Sequence, residues 1–331
     1  MNESSTAESA IARARTPVAR RASAERSAPA LRANAGTWSV LGAAVLWGTT
    51  GTAATFAPRS ASSLAIGAAA MGIGGIALFL GARRAALRLI TTRAGGRALW
   101  LGAGFVVAYP LAFYTSMADA GVAVGVTLSI GAAPIAAALI ERFRHGRRLT
   151  RRWVATVAIA LLGAALLGTG RAELAHHMQL LVGVILALTA ACCYAGYTVA
   201  ASDIIARSAS SRATVGALFG LGSLVLIPIL LITGSTLLTS SRGILVAGYL
   251  GLIPMTIGYV LFGHGLRTTT ARDATLLSLL EPAVAAALAA LVAHQHLSPL
   301  GWLGLGLVLA SVLLQTRSNQ RGATNAPAAA P

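Results

Sequence analysis

The amino-acid sequence predicts an all-α integral membrane protein of ten transmembrane helices in two inverted five-helix repeats. Three observations carry that prediction: long uninterrupted apolar runs, arginines gathered in alternate connections, and a gapless internal duplication. Of the 331 residues, 56% are hydrophobic and only 11% charged, with a mean hydropathy of +0.74, too apolar for a soluble domain of that length. A helix crossing the hydrocarbon layer needs about 20 apolar residues. The runs here are continuously apolar, whereas barrel strands alternate over about 10 residues, so helices that satisfy their own backbone are expected.

In chain order, residues 1–35 are rich in Ala, Ser and Arg and read as a disordered basic cytoplasmic tail, without the apolar core or cleavage site of a signal peptide. Residues 36–170 form a first five-helix unit, with spans expected at Trp38–Ala57, Ser62–Leu80, Ala98–Met117, Val122–Ile140 and Trp153–Thr169. Residues 171–316 form a second, at Gln179–Ala200, Thr214–Ile232, Ile244–Gly263, Ala274–Ala293 and Leu300–Leu314. Residues 317–331 are expected to be a second disordered cytoplasmic tail. Cys192 and Cys193, adjacent in an apolar run, point about 100° apart on a helix and read as small hydrophobes.

The formal net charge of +17 would suggest a nucleic-acid ligand in a soluble protein. Here the 26 cations are all arginines, and their placement follows the spans. With the amino terminus inside, the tails and alternate connections, Arg13–Arg32, Arg83–Arg97, Arg142–Arg152, Arg207–Arg212, Arg267–Arg272 and Arg317–Arg321, hold 23 of them, and the opposite side keeps Arg59, Arg171 and Arg242. Short cytoplasmic loops are enriched in cations, so both termini are expected in the cytoplasm and the protein in the cytoplasmic membrane. The charge is accounted for by orientation and anionic lipid, and no nucleic-acid partner is expected.

The segment Tyr114–Leu149 aligns without gaps on Phe262–Leu297. Pro134 falls on Pro282, Thr127 on Thr275, Thr150 on Ser298, and Trp47-Gly48 aligns on Tyr194-Ala195. Each copy has an odd number of spans, so the second enters the membrane inverted. Such symmetry lets the halves exchange conformations around a site near the midplane, which favours transport over catalysis.

Leu46-Trp47-Gly48-Thr49 in the first span, Leu279-Leu280-Glu281-Pro282 in the ninth, and the closings Leu149-Thr150 and Leu297-Ser298 resemble the drug/metabolite transporter superfamily. The resemblance is to its EamA-type branch, covers most of residues 37–316, and implies ten helices in two repeats. The stretch Leu277–Ala283 also looks like amino-acid exporters of that superfamily. The family often has a Glu before each closing, where this chain has Arg147 and Gln295, so a role for that Glu does not carry over.

Glu281 is the acid set deep in an apolar span, where a charge costs about 2.5–3.5 kcal/mol on insertion scales. It either exchanges a proton or binds a cationic group as access alternates, or is a neutral carboxyl hydrogen-bonded between helices. Glu141 differs, lying at a span end among arginines. At helical spacing Ala274, Ser278, Glu281 and Ala285 share a face, and Thr275 is the repeat partner of Thr127. Pro282 and Pro134 lack the amide proton that would reach the carbonyls of Ser278 and Ile130. Each kink either lines a central cavity or simply bends its helix. Trp47, Tyr109, Tyr114, Tyr194, Tyr197 and Tyr259 lie within spans and could stack on a substrate, or pack with tied hydroxyls. Gly121-xxx-Gly125 and Gly216-xxx-Gly220 read as packing. His176, His177, His294 and His296 fall in external loops. No metal site, cofactor or catalytic residue is expected.

No phosphate-binding Gly-rich loop and no separate hydrolytic domain occur in the sequence, so the expected function is a secondary transporter or exporter of a small polar metabolite, such as an amino acid, by alternating access. Its partners would be the substrate, protons as a coupling ion, and the lipid bilayer. The competing readings are a channel-like facilitator, which lacks a charged filter ring, a membrane enzyme, for which no His–carboxylate pair is evident in a span, and a receptor.

Overall fold

A computed structural model describes residues 34–168, 177–207, 210–292 and 298–324. These are almost entirely helical, with no strand among the described residues. The helices are α1 (residues 34–54), α2 (Ser63–Gly81), α3 (Arg83–Thr91), α4 (Gly96–Ala120), α5 (Val122–Gly131), α6 (Ala133–His145), α7 (Arg151–Gly168), α8 (His177–Ala206) and α9 (Ser211–Thr233). They continue with α10 (Ser235–Thr239), α11 (Ser241–Leu250), a π-helical segment (Gly251–Ile257), α12 (Gly258–Gly265), α13 (Ala271–Leu277), α14 (Leu280–Leu291) and α15 (Pro299–Thr324).

Eight helical stretches among the described residues are long and apolar enough to cross a membrane, several of them composed of two or three of these elements end to end. They coincide with the expected second to fourth and sixth to tenth spans. The helices α1 and α7 lie where the first and fifth were expected. Large apolar side chains such as Leu101, Leu231, Ile232 and Leu245 point outward, as lipid rather than water would require.

Helix starts follow local chemistry. The Thr150 hydroxyl accepts the Trp153 N–H at 3.2 Å and Ser298 accepts the Gly301 N–H at 3.1 Å. The two closings that carried the family resemblance are therefore N-caps of α7 and α15, supplying acceptors to otherwise orphaned amides. Thr270 caps α13 reciprocally: its Oγ1 accepts the Asp273 N–H at 3.2 Å and its hydroxyl donates to the Asp273 carboxylate at 2.7 Å.

Several spans pack against the corresponding span of the other half. Helix α2 packs along α9, α7 along α15 and α6 along α13, each joining corresponding spans. Helix α4 packs along α8, and its counterpart is α1 against α12, where Gly36 meets Gly265 and Thr268, and Gly42 meets Leu261. Gly216 and Gly220 bring α9 against Leu78 and Phe79 of α2, with no room for a Cβ, so this pair serves packing.

Both prolines interrupt their helices: α5 gives way to α6 just before Pro134, and α13 to α14 just before Pro282. The carbonyl of Ser278, expected to be free, is not: the Glu281 N–H donates to it at 2.9 Å. A tighter turn replaces the missing bond. Helix α15 runs on to Thr324, beyond the expected tail boundary at 316, supported by Gln315 Nε2 donating to Asn319 Oδ1 at 2.9 Å. Helix α3 was not anticipated; it buries Ala86 and Leu89 while its arginines face outward. Of the histidines expected in external loops, His176, His294 and His296 lie outside the described residues, as does Gln295, and His177 begins α8.

Candidate functional site

The break in the ninth span determines where Glu281 sits. Because the chain turns tightly at Ser278–Leu279, Glu281 falls in the first turn of α14, where the positive end of the helix dipole meets its carboxyl. Gly48 of α1 lets that helix lie close: a Cβ there would stand 2.9 Å from the Glu281 carbonyl oxygen. The Glu281 side chain is partly buried and faces a cavity of about 40 Å³, room for a few water molecules. It makes no hydrogen bond or ion pair among the described residues.

Trp47, Tyr109, Tyr114, Tyr194, Tyr197 and Tyr259 all line this same cavity with Glu281, although they come from α1, α4, α8 and α12. Trp47 meets Tyr259 at a ring separation of 4.9 Å and Tyr194 edge-on at 6.5 Å. Tyr109 meets Tyr194 at 5.7 Å, and Tyr194 meets Tyr197 at 5.3 Å. Trp47 and Tyr194, which align between the halves, thus stand against each other. Beneath them Phe219 closes on Tyr259 at 4.0 Å.

Hydroxyl partners separate these residues. Tyr197 and Tyr259 share a hydrogen bond of 2.8 Å, and Tyr194 pairs with Ser278 at 2.7 Å. The Ser278 hydroxyl donates to the Thr275 carbonyl at 2.9 Å, so its single proton is used and Tyr194 is the donor to it. Tyr109 and Tyr114 have no hydroxyl partner among the described residues. Ser278 therefore supports the site from behind. Thr275 does not reach the cavity: it is buried, and its hydroxyl donates to the carbonyls of Ala271 and Arg272, both at 3.0 Å.

The remaining lining, Thr50, Ala70, Met71, Phe113 and Met255, was not singled out from the sequence. Apolar residues in apolar runs carry no signal of their own. Phe113 had an indirect one, lying one turn from Tyr109, on which it stacks at 5.5 Å. Met255 belongs to the π-helical segment around Pro254, an irregularity of a kind often found at functional sites.

A second polar cluster lies at the arginine-rich end. Glu141, at the end of α6, is 2% exposed. Its Oε1 accepts the Ala271 N–H at 2.9 Å, and its Oε2 lies 3.5 Å from Arg147 and 3.7 Å from Arg272, ion-pair distances. Arg272 also donates to the Arg148 carbonyl at 3.2 Å and lies 5.7 Å over the Trp153 ring. Nearby, Asp203 of α8 pairs with Arg144 at 3.1 Å and with His145 at 3.2 Å. Asn319 of α15 donates to Thr37 of α1 at 3.4 Å, so the two ends of the described chain meet at this face.

The EamA-like transporter family matches this chain twice, over residues 34–169 and 181–317. The chain belongs to the EamA-like transporter family. It is a multi-pass membrane transporter and not an enzyme, and its partner class is a small-molecule substrate. Among relatives, the uncharacterized transporter YwfM of Bacillus subtilis is 34% identical over 275 residues, 83% of this chain and 91% of that protein. A probable terminal-alkyne amino-acid exporter of Streptantibioticus cattleyicolor is 27% identical over 197 residues, 58% of this chain and 63% of that protein. A crystal structure superimposes with a TM-score of 0.70 over 86% of this chain and 98% of its own, at 19% identity, and so shares the fold.

Proposed function

We propose that this EamA-like transporter is a secondary transporter of a small polar metabolite, an amino acid or similar compound, working by alternating access across the cytoplasmic membrane. In this reading α1 and α7 complete ten spans, residues 36–170 and 171–316 are inverted repeats, and both termini face the cytoplasm. The observation that carries it is the cavity itself: Glu281 and the aromatic side chains from both halves meet between helices of which several pack against the corresponding helix of the other half. An arrangement of that kind has two equivalent ways to close. In this reading the contacts of Glu141 with Arg147 and Arg272 at the arginine-rich end hold the cytoplasmic side together.

The amino-acid assignment draws on the exporter among its relatives. Glu281 serves in this proposal as the coupling or substrate-binding acid, with protons as the coupling ion. Purified protein in proteoliposomes, loaded with unlabelled amino acids and given a labelled one outside, tests the function. Saturable counterflow is the expected result, and non-saturating flux without counterflow would indicate a channel instead.

A further inference from the structure

We propose that the groove between α1, α11 and α14 binds one acyl chain of an anionic phospholipid, whose phosphate is held by Arg59 and Arg242. The site is separate from the central cavity and does not depend on how that cavity is used.

The groove has a volume of about 400 Å³ and is lined by Thr49, Ala53, Phe56, Leu245, Tyr249 and Leu288 among others. Helix α1 divides it from the central cavity, to which the same helix presents Trp47 and Thr50. At the deep end of the groove the Thr49 and Tyr249 hydroxyls meet at 2.9 Å. The Thr49 proton goes to the Leu46 carbonyl at 2.7 Å, so Tyr249 is the donor in that pair and both protons are used. A polar solute lodged there would lose water without gaining a donor. A hydrocarbon chain makes no such demand. Phe56 and Leu245, 56% and 73% exposed, lie further out along the two helices and carry the apolar lining onto the lipid-facing surface.

Charge identifies the rest of the occupant. Arg59 follows Phe56 by three residues, and Arg242 precedes Leu245 by three. The loop that carries Arg59 lies against α10, where Thr236 Oγ1 donates to the Ser60 carbonyl at 3.4 Å, and α10 leads directly into the turn that holds Arg242. Both arginines therefore stand beyond the same, outer end of the groove. Both are exposed, and neither forms an ion pair among the described residues. Two free cations above an apolar slot match a phosphate above its acyl chain, and each arginine at a membrane surface favours anionic lipid.

The test uses the full-length protein in nanodiscs of phosphatidylcholine, doped with either phosphatidylglycerol or phosphatidylcholine carrying the same photoreactive diazirine acyl chain. Labelled peptides are mapped by mass spectrometry, with exposed Leu231 and Ile232 of α9 as the reference for ordinary lipid contact. Phosphatidylglycerol is expected to label Thr49–Phe56 and Leu245–Tyr249 at least about ten-fold more than phosphatidylcholine does, relative to that reference. Arg59→Gln combined with Arg242→Gln, both surface changes, should bring the two lipids level. Leu288→Trp, which fills the groove from α14, should abolish groove labelling by both lipids while the reference labelling persists. Equal labelling by the two lipids in the parent, or a phosphatidylglycerol preference that survives loss of both arginines, overturns the proposal. So does a groove that neither lipid labels, the result expected if a second copy of the chain covers it, and so does unchanged labelling in Leu288→Trp.

Discussion

Glu141 and Ala271, 130 residues apart in sequence, join the end of α6 to the start of α13 through a hydrogen bond of 2.9 Å from a backbone amide to a buried carboxylate, whose same oxygen also accepts the Arg272 N–H at 3.4 Å. That carboxylate also faces Arg147 and Arg272. Removing one member of a buried charge cluster leaves the others uncompensated, and here the cost is about 2 kcal/mol because Arg147 remains half in solvent. Glu141→Ala should therefore loosen the arginine-rich end, with amide exchange over Ala271–Leu277 accelerated roughly thirty-fold. Glu141→Gln should accelerate it less, since the amide oxygen still accepts the Ala271 N–H. Equal protection in Glu141→Ala and the parent would deny the contact any closing role.

Close helix approach gives a second expectation. A Cβ at Gly75 of α2 would collide with Ser223 Oγ and the Phe219 carbonyl of α9, while a Cβ at Gly51 meets nothing within 4 Å. Gly75→Ala should lower stability by about 1–3 kcal/mol through overpacking, and Gly51→Ala should lower it by far less. Thermal unfolding in detergent compares the two. Similar midpoints would mean that α2 and α9 are not in the described contact.

Orientation is tested by reporters. Fusions after Arg93, Arg148 and Arg321 should report cytoplasm and those after Arg59 and Arg242 the outside, because the arginine-rich connections are retained. A cytoplasmic signal after Arg242 would break the ten-span arrangement.

Eight of the expected spans were legible because lipid demands continuous apolar runs, and the breaks at Pro134 and Pro282 because proline cannot donate an amide proton. Glu281 stood out by its cost in an apolar environment. The single helical wheel drawn through Ala274, Ser278 and Glu281 was less faithful: the helix is interrupted at Ser278–Leu279, so Thr275 turns into the backbone of α13 and Ser278 behind Tyr194. Glu141 could not be read as a closing contact, since its partner amide belongs to Ala271 and nothing local to either residue encodes the meeting. Thr50, Met71 and Met255 enter the site only through folding, being ordinary residues in apolar surroundings.

The last expectation concerns Glu281 in transport. Its carboxyl is unpaired among the described residues and faces the cavity, so its ability to gain and lose a proton is available to couple substrate movement to a gradient. Glu281→Gln keeps volume and hydrogen bonding but cannot ionise. Flux driven by an imposed pH gradient should therefore fall at least about ten-fold in this variant, and its residual flux should no longer respond to pH. Glu281→Asp should retain a pH-dependent fraction, and membrane insertion should be unchanged in both. Proteoliposome uptake across a series of pH gradients makes the comparison. If the carboxyl only links helices, Gln substitutes for it and transports almost normally with the parental pH profile. That result would assign Glu281 to structure and require another coupling group.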